Sequence, residues 1–261
     1  MQRRAQLIVG CLAILGGIAL GRSGLIDAGR QPAEPVIVSL APTRAEPAGS
    51  AADADRDAVR RWLHDQLRGA SPLGPGRVTE ALVVVDEDTK DTALLRVLPS
   101  GRLLPKVAGG EAWQQAGLWP ERRGLAPGSM ASADLHNVRA VERDVVAVVA
   151  DVDFTDQGGP GQLEPGDPVK GDVARALFYM ALRYDGSDGG PRLDLVVGQG
   201  RQSGGGVGEL CTLLRWNEED RVDFAERRRN ERVERYQGNR NPFVDRPEFA
   251  RVLWGHRCKA S

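Results

Sequence analysis

The alternation of apolar and polar positions divides the chain into three unequal stretches. Residues 5–21 form an uncharged run, apolar apart from Gln6 and preceded by Arg3 and Arg4. That is the pattern of an export signal, and the run is just long enough to stay as a membrane anchor if it is not cleaved. Residues 22–54 are rich in Pro, Ala and Gly without sustained periodicity and read as a tether. From residue 55 to residue 258 helical and strand periods follow one another, and a folded domain is expected there. Val59, Trp62, Leu63 and Leu67 share one face of a helix over 55–69, stopped by Gly69. Leu82–Val85 and Ala93–Leu98 are short aliphatic runs about the polar bend DEDTKD and predict a hairpin or two neighbouring strands. Val173, Ala176, Leu177, Met180, Ala181 and Tyr184 recur at helical spacing and predict a core helix over 172–184. An amphipathic helix is expected over 223–236, then the polar turn QGNRNP, then a short helix over 248–254 with Phe249 and Leu253 inward. The sum is an α+β domain, several helices around a small sheet.

Composition narrows the class without naming a function. With 41% hydrophobic and 27% charged residues, 261 residues suffice for one sizeable core. A formal net charge of -1 supplies no global basic field, so contact with nucleic acid must rest on a local patch. Between Arg215 and Arg240, eight arginines face seven acids, with Asp223/Arg227 and Glu231/Arg235 at i,i+4 spacing. This reads first as a solvated helix laced with ion pairs, ahead of a phosphate-binding stripe. Cys11 lies in the apolar run, whereas Cys211 and Cys258 flank the Arg-rich segment. In an exported protein the latter two can pair, closing a 47-residue loop worth about 4 kcal/mol; the alternative is two buried thiols. No spacing of Cys and His supports zinc. Asp86, Glu87 and Asp88 lack the spacing of a calcium loop, and the Gly-rich stretches 158–167 and 199–208 lack that of a phosphate loop.

The combination Trp216-Asn217, Arg229-Asn230 and Gln237-Gly-Asn-Arg-Asn-Pro-Phe243, at these separations, resembles the C-terminal signature of the bacterial endonuclease I family. Ser100-Gly101-Arg102, Lys170-Gly171, Leu118-Trp119-Pro120 and Asp134-Leu135-His136-Asn137 extend the resemblance. It implies an endonuclease I-like α+β fold with a ββα-metal core of His-Me finger type between about residues 103 and 154. It also implies a secreted or periplasmic protein and metal-dependent cleavage of DNA or RNA with little sequence preference; if the run at 5–21 is kept, the chain is membrane-tethered and faces outside, and a monomer is expected. In such a site a His at a strand end takes a proton from water. A neighbouring Glu and an Asn on the following helix hold one divalent cation, such as Mg²⁺, against the phosphate.

Carried over residue by residue, the resemblance fails at the chemistry. The catalytic His position is Gly117 and the preceding Glu position is Ala116. A gap-free register from Asp134 to Phe154 puts Val146 at the metal-ligand Asn and Val149 at the family's Arg. None of these side chains has a donor, an acceptor or a charge. A general base alone is worth roughly 10² to 10⁴ in rate and the metal several kcal/mol more. The expectation is therefore an inactive nuclease homologue that retains nucleic-acid binding and needs no cofactor. The first alternative is an active, divalent-cation-dependent endonuclease with a relocated site drawn from Glu111, Asp134, His136, Asp144, Asp151 and Asp153. There His136 is the fallback base and Asp134 the fallback metal ligand, although His136 reads more strongly as a hydrogen-bonded scaffold residue. Arg122, Arg123 and Arg240 are the candidate phosphate contacts. The second alternative is an envelope protein-interaction module. Any membrane contact runs through residues 5–21.

Overall fold

The computed structural model describes residues 56–108, 111–198 and 206–258; the apolar run, the tether and most of the second Gly-rich stretch lie outside them. The described part is an α+β assembly of eight α-helices and two-stranded sheets.

Its centre is helix α4 (Lys170–Arg183), buried almost all round rather than along one stripe. A helix apolar on every face belongs inside a core. Here even the charged side chains follow: Arg175 is fully buried, its guanidinium donating to Glu226, Asp172, Asn217 and the Asp220 carbonyl. Helix α1 (Arg56–Leu67) lays Val59, Leu63 and Leu67 on α4. Helix α5 (Leu210–Glu219) packs alongside α4 and carries Cys211, which is bonded to Cys258 across a Cα separation of 5.5 Å. The C-terminal helices α7 (Pro242–Asp245) and α8 (Glu248–Trp254) close the core, with Phe243 and Trp254 against Phe178.

Two expectations change. Leu82–Val85 is not a strand but the last turn of helix α2 (Val78–Val85). Val78, Ala81, Leu82 and Val85 form a buried i, i+3, i+4, i+7 stripe, and packing on that stripe overrides the strand preference of three consecutive valines. The partner of strand β1 (Leu94–Arg96) is instead β2 (Leu103–Pro105), antiparallel across the Ser100-Gly101-Arg102 turn. Second, helix α6 (Phe224–Gln237) is not a solvated surface helix. Glu226, Arg229, Asn230, Val233 and Gln237 are all buried. Asp223 is spent as its N-cap, accepting the Glu226 amide at 2.7 Å, and Glu231 pairs with Arg228 rather than Arg235. Gly238, at φ 79°, supplies the left-handed residue that ends the helix.

The part that matters for chemistry is a ββα unit. Strand β3 (Trp113–Gly117) pairs antiparallel with β4 (Val138–Glu142), Ala116 opposite Arg139 and Gly117 opposite Val138. The short helix α3 (Val146–Val149) follows β4 and packs back on β3.

Candidate functional site

The two landmarks around the site hold each other. The Leu118 amide donates to the Asn137 carbonyl at 3.0 Å, and the Trp119 amide to Asn137 Oδ1 at 2.8 Å. The Trp119 indole donates to the Arg123 carbonyl at 2.8 Å. These bonds fix the chain as it leaves β3 against the chain as it enters β4.

Beneath them lies a saturated polar core. Asp134, fully buried, accepts from Tyr179 (2.8 Å), Tyr184 (2.9 Å), Gln237 Nε2 (2.8 Å) and the His136 amide (2.9 Å). Burial, with the Asp134 carboxylate beside them, pushes both tyrosine hydroxyls above their ordinary range. Gln237 Oε1 accepts the Leu135 amide, and Asn239 donates to Tyr179. Arg229 reaches from α6 to Asp86 at 2.6 Å and to the carbonyls of Leu135 and Val138 at 2.8 and 3.0 Å. The family signature on α6 is thus the scaffold that carries the entrance to β4.

His136 belongs to the same core. Its ring lies 4.3 Å from that of Tyr179, and its Nε2 faces the Asn239 carbonyl at 3.3 Å. A carbonyl only accepts, so Nε2 carries the proton of a neutral ring. Burial pushes its pKa down to about 4, with Arg229 and Arg139 acting in the same sense and Asp134 against it. His136 is therefore not a relocated base, and Asp134 has no lone pair to spare for an ion.

The relocated set does not assemble. Glu111 and Asp144 are exposed, and Asp153 is buried in an ion pair with Arg123 while also accepting the Gly208 amide. Among the described residues, no three His, Cys, Asp or Glu side chains converge into a metal-holding group. The same ion pair corrects the reading of Arg123, which is 5% exposed and so not a phosphate clamp. Arg122 is open, with its side chain 78% exposed and 3.6 Å from Asp151. Arg240 is held by Asp245 and then Glu234, which raise its pKa, and it lines a different groove beside Trp62 and Phe249.

What the structure does bring together is the trio Ala116, Gly117 and Val146. All three line one open cleft of about 350 Å³, walled further by Val138 and Ala150, with Ser132, Gln115, Glu121 and Arg122 around it. Ala116 and Val146 also pack against the main apolar core. A divalent cation needs several oxygen or nitrogen ligands in a defined shell, and the lining offers a single carboxylate, Glu121, beside the neutral Gln115 and Ser132, so the residues present do not fit the ion. One polar atom here escaped the sequence reading: Asn137 Nδ2, buried and without a hydrogen-bond partner. Its only sequence signal is the glycine at 117, since a Cβ there would stand 2.9 Å from it.

Comparison with known proteins agrees with this architecture. Residues 103–248 match the family described as Endonuclease I. The chain is 38% identical over 214 residues to the extracellular ribonuclease of Bacillus amyloliquefaciens, covering 76% of this chain and 74% of that protein. It is 37% identical over 215 residues to the extracellular ribonuclease of Bacillus subtilis strain 168, with the same shares covered.

Proposed function

The chain belongs to the endonuclease I family, and from that premise we propose that it is an exported member whose phosphodiester-cleaving centre has been dismantled while its nucleic-acid-binding surface is kept. The observation that carries this reading is the convergence of Ala116, Gly117 and Val146 in one cleft at the end of β3 and the start of α3. These are the positions at which the family resemblance calls for the metal-ligand Glu, the catalytic His and the metal-ligand Asn. With none of these three groups present at one place, water is left without a base and a phosphate without a cation.

Export is supported by the apolar run at 5–21 and by relatives named as extracellular ribonucleases. Nucleic-acid binding is supported by the same relatives and by the open Arg122 at the cleft rim.

The test is incubation of the full chain with plasmid DNA and with RNA in Mg²⁺, Mn²⁺ or Ca²⁺, alongside anisotropy with labelled oligonucleotides. The expected result is no cleavage above a boiled control, with binding that weakens as salt rises. Cleavage abolished by a chelator overturns the dismantled centre. Failure to bind either nucleic acid at low salt overturns the retained surface.

A further inference from the structure

The floor of the cleft carries an unused donor. Asn137 is 1% exposed, its Oδ1 is taken by the Trp119 amide, and its Nδ2 has no partner. Leaving a buried amide N–H unpaired is costly, and native structures rarely do so without a reason. Nδ2 lies against the bare Cα of Gly117, on the side where every other residue type would place a Cβ.

We propose that the cleft is a binding site for a single neutral heteroaromatic ring that presents an unprotonated nitrogen or a carbonyl oxygen, with Asn137 Nδ2 as its hydrogen-bond donor. The chemistry of the walls selects this class. A divalent cation finds one carboxylate, Glu121, and the neutral side chains of Gln115 and Ser132 around walls of Ala116, Val138, Val146 and Ala150, which is no charged shell of ligands. A phosphate would set its charge against those same apolar walls, and the cation at the rim, Arg122, is solvated and faces Asp151. A volume of about 350 Å³ sits at the low end of small-molecule sites, enough for one ring and a substituent. The apolar part of the wall, Ala116, Val138 and Val146, suits the faces of such a ring, and its acceptor atom satisfies the orphan donor. Nδ2 is itself buried, so with Oδ1 held by the Trp119 amide the acceptor reaches it through the space that the missing Cβ of Gly117 leaves. The proposal rests on the reading of a dismantled centre, because an ion with its water shell would fill the same space.

A nucleobase of a bound strand and a free imidazole-like metabolite share this chemistry, and the test separates them. Imidazole, adenosine or a short single-stranded oligonucleotide is added to the full chain, labelled with ¹⁵N, at about pH 8, where imidazole is mostly unprotonated. The Asn137 side-chain amide signal is identified by its loss in Asn137→Asp, which is isosteric and still accepts the Trp119 amide. The expected result is a saturable shift of that signal with imidazole and with adenosine. Affinity, followed in the variants at the Trp119 backbone amide, should fall about tenfold or more in Asn137→Asp and in Gly117→Ala, whose added methyl takes the slot. Displacement of imidazole by the oligonucleotide assigns the site to nucleobases; indifference to it assigns the site to a diffusible ring. No shift with either free ring, or affinity unchanged in both variants, overturns the proposal. Chelator-sensitive cleavage, measured separately, overturns the dismantled centre and leaves a ring-induced shift standing.

Discussion

The polar core around Asp134 and Arg229 and the cleft around Gly117 adjoin one another in the fold, at the entry into β4, and their side chains are opposite in kind. In the core, the signature side chains Arg229, Asn230, Gln237 and Asn239 are all buried and bonded, several of them to backbone groups far away in sequence. In the cleft, the positions where the family resemblance implies the reacting groups carry hydrogen, methyl and isopropyl groups. A buried hydrogen-bonded network cannot be dismantled piecemeal, since each partner lost strands another. A solvent-open catalytic group can be lost without that penalty. A family signature therefore certifies the scaffold and says little about turnover.

The sharpest way to break this contrast is to remove one member from each region and compare stabilities. Arg229→Met leaves the buried Asp86 with the Ala140 amide but without its paired cation, and removes the guanidinium that donates to the Leu135 and Val138 carbonyls. Urea unfolding should show a loss of about 3–5 kcal/mol. Val146→Ala, half-buried at the cleft, should cost no more than about 1 kcal/mol. Equal losses would mean that the cleft is as structural as the core.

Acid provides the next largest effect. His136 stays neutral in the folded chain, with its pKa lowered from 6.5 to about 4 by burial. Between those values the unfolded chain binds the proton and the folded chain does not. Stability is thus fully present above pH 6.5 and declines as pH falls toward 4, by about 3 kcal/mol for this group. Asp172, whose carboxyl is raised by burial and by Glu226, works in the opposite sense, holding its proton better in the folded chain. The comparison is therefore with His136→Gln, an amide that can still donate toward the Asn239 carbonyl and does not titrate. Its unfolding free energy should fall less steeply over the window from pH 6.5 to 4. Parallel curves for the two proteins would place His136 outside the saturated core.

Much of this was legible from spacing, and the failures share a cause. The faces of α1 and α4 follow from helical period because their partners are apolar and any apolar neighbour will do. The stripe Val78, Ala81, Leu82 and Val85 was equally periodic, but a window confined to the valines at its end reads as strand. The inward polar face of α6 could not be read locally. Arg229 finds Asp86 across 143 residues, and Gln237 finds Asp134 across 103, so charge counting along the helix registers them as solvated. That Ala116, Gly117 and Val146 face one cleft was legible because the register from Asp134 to Phe154 has no gap. The orphan amide of Asn137 was not, since it arises from a contact with what Gly117 lacks.

The smallest expected effect is a gain. Restoring Ala116→Glu, Gly117→His and Val146→Asn together should return divalent-cation binding and a low nicking activity, whereas each change alone should do almost nothing. A base without the ion, or two ligands without the base, is a fraction of a unit whose members act together. The geometry sets the ceiling on recovery. A Cβ at 117 would meet Asn137 Nδ2 at 2.9 Å and the Trp119 carbonyl at 3.2 Å. The first is the end of a side chain and can swing away, but the second is backbone pinned by the Asn137 contacts described above. An amide at 146 would stand partly within the apolar core, at a cost of about 1–3 kcal/mol if unpaired. The triple variant should therefore be less stable than the parent, bind Mn²⁺ in calorimetry, and nick plasmid slowly until a chelator is added. A triple variant that keeps its circular dichroism spectrum yet takes up no Mn²⁺ would mean that the end of β3 and the start of α3 do not hold the three positions in the geometry an ion needs.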